Sequence, residues 1–205
     1  TLVGGGLLVA VLLWVKGVYA PLEALRHGMF NLVSVATTTG YATVDYLGWP
    51  VFAPVFMLLL SGVATSAGST GCGIKMVRML ILLKQARREM NRLVHPRAVQ
   101  PVRLGDAVVD NRVIFSVLAF MLVYGATIIG LSMVLLLTDL DPVTAFSAVI
   151  ASVNCTGPGL GLVGPASNYA VLTDFQVWVC TLAMLLGRLE ILSFMALLTP
   201  AFWRR

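Results

Sequence analysis

Long apolar runs fill most of this chain, and short polar stretches separate them. A membrane-spanning helix needs roughly 20 mostly apolar residues. The runs that meet this need cover residues 2–19, 51–67 with a continuation past a break, 113–137 and 175–198. Two other apolar pieces, 22–36 and 142–153, are too short to cross a bilayer. They are typical of re-entrant half-helices, which membranes accept only where the following backbone is buried in protein or faces a water-filled cavity.

A polar loop rich in threonine and glycine follows each half-helix. The first reads Thr37-Thr38-Thr39-Gly40-Tyr41, and the second reads Asn154-Cys155-Thr156-Gly157-Pro158-Gly159. At membrane depth such a loop can aim backbone carbonyls and threonine oxygens at a dehydrated cation. The order of helix, short helix, loop and helix occurs twice, which favours two pore-lining loops over two ordinary turns between helices.

The composition excludes an ordinary soluble domain. Hydrophobic residues make up 59% of the 205 residues and charged residues only 11%, and the mean hydropathy is +0.92. Soluble domains carry about 25% charged residues. The sequence therefore predicts an all-α integral membrane protein.

The charges predict how the chain is oriented. Basic residues crowd the segment between the second and third spans and close the C-terminus, which makes both regions cytoplasmic by the positive-inside rule. The opposite ends carry Glu23, Asp45, Asp139, Asp141 and Asp174. An acidic mouth would concentrate cations, although each carboxylate can also be an ordinary solvated loop charge. The net charge of +5 is thus a topology signal, and nucleic acid is not an expected partner.

The repeat is parallel, because both loops enter from the outside and both flanking helix pairs begin and end inside. Parallel repeats are related by an axis along the membrane normal. Phe30 precedes Gly40 at nearly the spacing by which Phe146 precedes Gly157. We expect a first pore repeat over residues 1–95, a cytoplasmic connector over 96–111, and a second pore repeat over 112–205.

The second span contains a stretch that disfavours a helix. Residues 66–73 hold three glycines and three hydroxyl residues, and each glycine costs a helix about 1 kcal/mol relative to alanine. We expect a break here, with the non-helical backbone lying against the pore below the two loops. The stretch is close to a phosphate-binding P-loop, but Ile74 separates Gly73 from Lys75 and no nucleotide site is expected.

Arg188 lies inside the last predicted span. A membrane-buried arginine costs about 2.5 to 3.5 kcal/mol on insertion scales and is by default a functional residue. We place it toward the pore, below the loops or facing Gly71. The alternative is a structural pairing with a carbonyl or with Glu190, although residues two apart on a helix do not face each other.

Four separated motifs resemble the Trk/Ktr/HKT superfamily of potassium transporters, and specifically its TrkH-like membrane subunits. They cover nearly the whole chain in the right order, at residues 38–41, 68–75, 156–161 and 186–191. That family builds its pore from four helix-loop-helix units. This chain is similar to the third and fourth, so we expect half of a pseudo-fourfold, potassium-channel-like pore and a piece of a longer subunit.

The resemblance assigns roles to residues. It implies that a selectivity filter contains Thr38, Thr39, Gly40, Tyr41, Cys155, Thr156, Gly157 and Pro158. It implies that an intramembrane gating loop contains Gly68, Ser69, Thr70, Gly71, Cys72, Gly73 and Lys75. Arg188 would form an electrostatic barrier with that loop. Cys72 stands where the family usually has a third consecutive glycine.

The resulting hypothesis is gated, selective potassium uptake through a multi-pass protein of the bacterial inner membrane, with K+ as the transported ion and neither a bound cofactor nor enzymatic activity. The resemblance further implies a TrkA-like cytoplasmic nucleotide-binding regulatory subunit and a homodimer, and the basic connector can contact anionic lipid or a regulatory protein. The alternatives are a sodium-permeable or ion-coupled transporter, a non-conducting assembly subunit and a membrane enzyme. Cys72, Cys155 and Cys180 lack metal-ligand spacing, and His27 and His95 are isolated.

Overall fold

The structure is a computed structural model that describes residues 1–66, 68–69, 71–95, 100–105 and 107–189. The described residues form seven α-helices and one two-stranded pairing. The helices are α1 Leu2–Val15, α2 Pro21–Ala36, α3 Phe52–Val63, α4 Met76–Val94, α5 Asn111–Leu136, α6 Pro142–Val153 and α7 Asp174–Arg188. Residues 190–198 of the last predicted span lie outside the described part of the chain.

The short helices α2 and α6 occupy the places predicted for the half-helices. Each has a proline at its first turn, where the missing N–H is no loss to the helix. Of the described helices, α5 is the one whose 26 residues are long and apolar enough to cross a bilayer. The other apolar helices α1 and α3 have 14 and 12 residues.

The predicted break in the second span is confirmed. Helix α3 ends at Val63 and α4 begins at Met76, and the described residues between them are not helical. Two backbone hydrogen bonds close the neck of this segment, from Ile74 N to Gly62 O at 2.6 Å and from Met76 N to Thr65 O at 2.8 Å. We call residues 64–75 the intramembrane loop.

We call α2 and α6 the pore helices, after their predicted role, and each is held in a bundle of three helices. The first core joins α1, α2 and α3 through Val9, Leu13, Leu32, Val35 and Met57. The second joins α5, α6 and α7 through Tyr124, Leu135, Val149, Val153 and Ala183. Ala151 and Leu160 of the second bundle belong to the first core. The two bundles therefore share an apolar boundary close to their loops.

The ends of the pore helices give the register of the repeat. Thr37 N bonds Val33 O at 2.9 Å at the end of α2, and Asn154 N bonds Ile150 O at 3.0 Å at the end of α6. The backbone N–H groups of the next two residues in each loop also bond to carbonyls at matching positions. A displacement of 117 residues therefore relates the two loops and pairs Gly40 with Gly157. The same displacement pairs Phe30 with Ser147, the neighbour of Phe146, which is why the two phenylalanines precede their glycines at nearly the same spacing.

The connector is the part that departs from an all-helical fold. Strand β1, Arg103–Leu104, pairs antiparallel with β2, Ala107–Val108. A small core of Ile81, Val102, Ile114 and Val117 seats this pairing between α4 and α5. The connector is thereby fixed to the two helices that flank it.

Candidate functional site

The two Thr/Gly loops share an uncommon backbone conformation. Thr38 and Gly40 have φ angles of 58° and 82°, and Cys155 and Gly157 have φ angles of 55° and 103°. Left-handed backbone is rare outside glycine, yet threonine and cysteine adopt it here at equivalent positions. The loops are thus built on one local plan although their sequences differ.

The loops meet each other at a glycine. A Cβ built on Gly40 would collide with the backbone carbonyl of Thr156 and would lie 3.4 Å from Cδ of Pro158. Thr156 is buried, and its Oγ1 has no hydrogen-bond partner among the described residues. The structure therefore brings the two loops together and buries a threonine hydroxyl whose hydrogen-bonding capacity is unsatisfied by the described residues.

A cavity of about 460 Å3 lies where the loops converge. It is lined by Thr38, Thr39, Ala151, Ser152, Cys155, Thr156, Gly157, Tyr169 and Met184. Five of the eight residues assigned to the filter line this cavity, and Gly40 contacts Thr156, which is one of the five. Pro158 and Tyr41 do not line it: Pro158 lies close to Gly40, and Tyr41 is 73% exposed.

Side chains of the pore helices fix the backbone that follows each loop. Asn31 Oδ1 accepts from Thr43 N at 3.1 Å, and Ser147 Oγ accepts from Leu160 N at 2.8 Å. Thr43 and Leu160 are equivalent in the 117-residue register. Each pore helix thus anchors the chain three residues beyond its loop glycine through one polar side chain.

Tyr169 supports the second loop from the segment that follows it. Its hydroxyl donates to the carbonyl of Gly157 at 2.8 Å. Burial raises the pKa of Tyr169 to about 12, so the hydroxyl keeps its proton, and with it the hydrogen bond, at neutral pH.

The intramembrane loop borders a second cavity of about 260 Å3. The lining residues are Ser69, Gly71, Cys72, Gly73, Lys75, Arg78, Phe120, Tyr124, Gly187 and Arg188. Five of the seven residues assigned to the gating loop are in this set. Gly68 is not, and Thr70 lies outside the described residues.

Arg188 lines the same cavity at the C-terminal end of α7 and interacts with the thiol of Cys72. Its neighbour Gly187 packs directly on the carbonyl of Val153, the last residue of α6. This glycine lets α7 approach the end of the pore helix. The arrangement places a cationic side chain against the intramembrane loop.

Comparisons with known proteins identify the family. The model of a family described as TrkH, cation transport protein, matches residues 15–204. The chain belongs to the TrkH family of cation transport proteins. Its fold also matches the crystal structure of the potassium transporter TrkH from Vibrio parahaemolyticus, with a TM-score of 0.92 at 40% identity over 99% of this chain and 43% of that one. The all-α membrane-transporter fold predicted from the sequence is therefore confirmed.

Two curated relatives show how far the similarity extends. The Trk system potassium uptake protein TrkH of Salmonella typhimurium is 39% identical over 195 residues, which cover 95% of this chain and 40% of the relative. The protein of the same name from Vibrio parahaemolyticus is 42% identical over 185 residues, covering 90% of this chain and 38% of the relative. The chain thus spans about two fifths of the length of these TrkH relatives.

In this TrkH-family chain, three polar residues of the site were not predicted from the sequence to have a role. Asn154 opens the second loop, and Asn31 and Tyr169 hold the backbone around the loops, but none was assigned a role. Asn31 and Asn154 are both completely buried. An asparagine inside a short apolar helix or at its end was the available signal, because a buried amide needs partners.

Proposed function

We propose that this chain supplies two of the pore-lining units of a potassium uptake pore in the bacterial inner membrane. The observation that carries the proposal is the meeting of two equivalent Thr/Gly loops at Gly40 and Thr156. The names of the TrkH relatives, Trk system potassium uptake proteins, support the choice of ion.

In this proposal the filter replaces the water shell of K+. Loop carbonyls and the buried hydroxyl of Thr156 are neutral oxygen ligands, which suit a weakly hydrated monovalent cation. A buried hydroxyl without a protein partner costs free energy, and an ion passing through the filter would provide the missing interaction. Thr38, Thr39, Gly40, Tyr41, Cys155, Gly157 and Pro158 complete the proposed filter set.

The intramembrane loop and Arg188 form the proposed gate. Thr65, Cys72 and Ile74 of the loop are buried, so opening has to break the neck hydrogen bonds and also give up this burial. Arg188 and Lys75 place positive charge around the cavity beside the loop, which opposes a cation. Opening would require the loop and these charges to move away from the ion path.

The cytoplasmic side carries the proposed regulatory contacts. Lys84, Arg87, Arg88 and Arg103 line a cleft of about 280 Å3 between α4 and the connector. Its positive charge suits an acidic surface of a nucleotide-binding regulatory subunit of the Trk system, and a dimer of the complete transporter would double this surface. Photo-crosslinking from the connector in cells should capture a protein, and capture of lipid alone would contradict the proposed partner.

Flux measurements test the proposed function. Liposomes would contain either this chain alone or the chain together with a matching pair of upstream repeats, and K+ and Na+ fluxes would be compared. We expect K+-selective flux in the assembly with upstream repeats. Equal K+ and Na+ fluxes would favour a sodium-permeable transporter, and absence of flux despite verified insertion would indicate a non-conducting subunit.

A further inference from the structure

Asn154 is the residue at which the filter and the intramembrane loop meet. It is fully buried at the C-terminal end of α6, directly before Cys155. Its Oδ1 accepts from the hydroxyl of Tyr124 on α5 at 2.7 Å. Its Nδ2 donates to Oγ of Ser61 on α3 at 3.0 Å. One side chain therefore joins three helices.

The neck of the intramembrane loop packs against the same carboxamide from two sides, through Gly62 at the end of α3 and Gly73 within the loop. A Cβ built on Gly62 would lie 3.3 Å from Nδ2 of Asn154, and one built on Gly73 would lie 3.1 Å from Oδ1. Gly62 and Gly73 flank the neck hydrogen bond from Ile74 N to Gly62 O. Larger residues at either glycine would push the loop away from Asn154.

The first repeat has no such connection in the residues described. Thr37, which corresponds to Asn154, is exposed, and its hydroxyl bonds Val33 O at 2.7 Å and Thr39 Oγ1 at 2.9 Å. Those partners are local to the end of α2. The link between a filter loop and the intramembrane loop is thus specific to the second repeat.

We propose that Asn154 is a positioning residue that couples the second filter loop to the intramembrane loop, with Tyr124 and Ser61 fixing its carboxamide. Because its backbone begins the filter loop and its side chain packs closely against Gly62 and Gly73 at the neck of the intramembrane loop, a shift of either loop disturbs the other. The proposal rests on the conduction of K+ argued above and assigns the closed arrangement of the gate to this contact.

The Tyr124 hydroxyl is the part of this network that can be removed with least damage. Tyr124 stacks on Phe120 with ring centroids 5.9 Å apart, and Tyr124→Phe keeps that packing. Ser132→Ala is the matched control, since it removes a buried hydroxyl of the same helix that has no hydrogen-bond partner among the described residues.

The first readout is K+ flux in the reconstituted assembly. A lost hydrogen bond of this kind raises the ratio of released to held loop by about fivefold, the equivalent of about 1 kcal/mol. We expect Tyr124→Phe to raise K+ flux by about this factor and to leave the K+ to Na+ ratio within about twofold, because its hydroxyl touches no filter carbonyl. Ser132→Ala should match the unmodified protein.

The second readout does not depend on flux. Cys72 in the intramembrane loop is 4% exposed, so a maleimide reaches its thiol when the loop leaves its held position. Mass spectrometry of the Cys72 peptide in a Cys180→Ala background would follow the rate of labelling. We expect Tyr124→Phe to raise this rate about fivefold, because the released loop is the minor population, and Ser132→Ala to leave it unchanged.

A double-mutant cycle completes the test. Asn154→Ala should alter both readouts, and adding Tyr124→Phe to it should change neither further, since the partner is already gone. Additive effects, or a Tyr124→Phe variant that behaves like Ser132→Ala, would overturn the proposal. An unmodified assembly without K+ flux would count against the proposed function, while the rates of Cys72 labelling would still decide the role of Asn154.

Discussion

At the scale of single residues, backbone conformation decides what each loop position tolerates. A non-glycine residue in the left-handed region costs roughly 1 to 2 kcal/mol, and Thr38 and Cys155 both carry that cost. Such strain persists only where the surroundings determine it, and it clusters at functional sites. Gly40 is more restricted still, because its neighbour is the Thr156 carbonyl.

Gly40→Ser should damage ion selectivity. The new Cβ would be strained at a φ of 82° and would displace the Thr156 carbonyl. We expect the K+ to Na+ flux ratio to fall at least about tenfold, corresponding to about 1.4 kcal/mol of lost discrimination. Gly48→Ser is the control, since a Cβ there meets no atom within 4 Å. An unaltered ratio in a correctly folded Gly40→Ser protein would remove Gly40 from the filter.

Arg188→Gln should raise K+ flux. A positive charge near the ion path opposes a cation by about 1 kcal/mol even at high dielectric, which corresponds to about fivefold in rate. Glutamine keeps much of the side-chain volume and removes the charge. Arg112→Gln, at the exposed start of α5, should leave the single-channel current or liposome flux unchanged. Equal currents in the two variants would show that Arg188 is a structural residue.

At the scale of helices, close backbone contacts set how the pore helices are seated. Gly28 of α2 packs against the Ala10 backbone of α1. A Cβ added to Gly28 would lie 3.1 Å from the nearest backbone atoms of Ala10. Gly187 of α7 does the same against Val153 of α6. Small residues at such crossings are how membrane helices approach closely. Each pore helix is thus fixed by a glycine contact with a neighbouring helix.

Gly187→Ala should destabilise the protein although alanine favours a helix. The added methyl group would collide with the Val153 carbonyl, and overpacking of this kind costs about 1 to 3 kcal/mol. Gly130→Ala in α5, where a Cβ meets nothing within 4 Å, should instead be neutral or stabilising by up to about 1 kcal/mol. Thermal unfolding in detergent would compare them, and equal melting temperatures would contradict this packing argument.

The sequence predicted the elements better than their contacts. The bounds of α6 were predicted as residues 142–153, because Pro142 and the polar Asn154 mark its ends, and glycine content predicted the break after α3. The role of Asn154 was not accessible, since its partner Ser61 is 93 residues away. The two pore helices have 16 and 12 residues, so the exact register of the repeat comes from the hydrogen bonds of the loops and could be given only approximately by Phe30 and Phe146.

At the scale of the molecule, charges of the two signs are concentrated in segments predicted to face opposite sides of the membrane. The basic cleft lies between α4 and the connector, and exposed carboxylates lie at or next to the starts of the pore helices and of α7, where Lys16 and Arg26 are also exposed. Two of these carboxylates also cap helices, since Asp45 accepts from Leu47 N and Asp141 from Thr144 N. The acidic end therefore combines a structural task with an attraction for cations.

Asp139→Asn should lower K+ flux only at low ionic strength. Asp139 is exposed with a φ of 57°, a conformation that asparagine tolerates, so folding should be unaffected. Loss of one steering charge should reduce flux about twofold in dilute buffer. The difference should vanish near 1 M salt, where the screening length is about 3 Å. Glu89→Gln at the basic end is the control, and a reduction that persists in high salt would contradict steering.

The direction of the two pore helices has an electrostatic consequence. Both α2 and α6 end at the residue before a Thr/Gly loop that we propose as part of the filter, so both present C-terminal carbonyls to that loop. A helix C-terminus carries the equivalent of about half a negative charge, and two of them supply about one. The charge that offsets K+ would then come from the peptide backbone, which no proton can neutralise, and the affinity of the filter for its ion would stay constant over a pH range in which a carboxylate site would lose it.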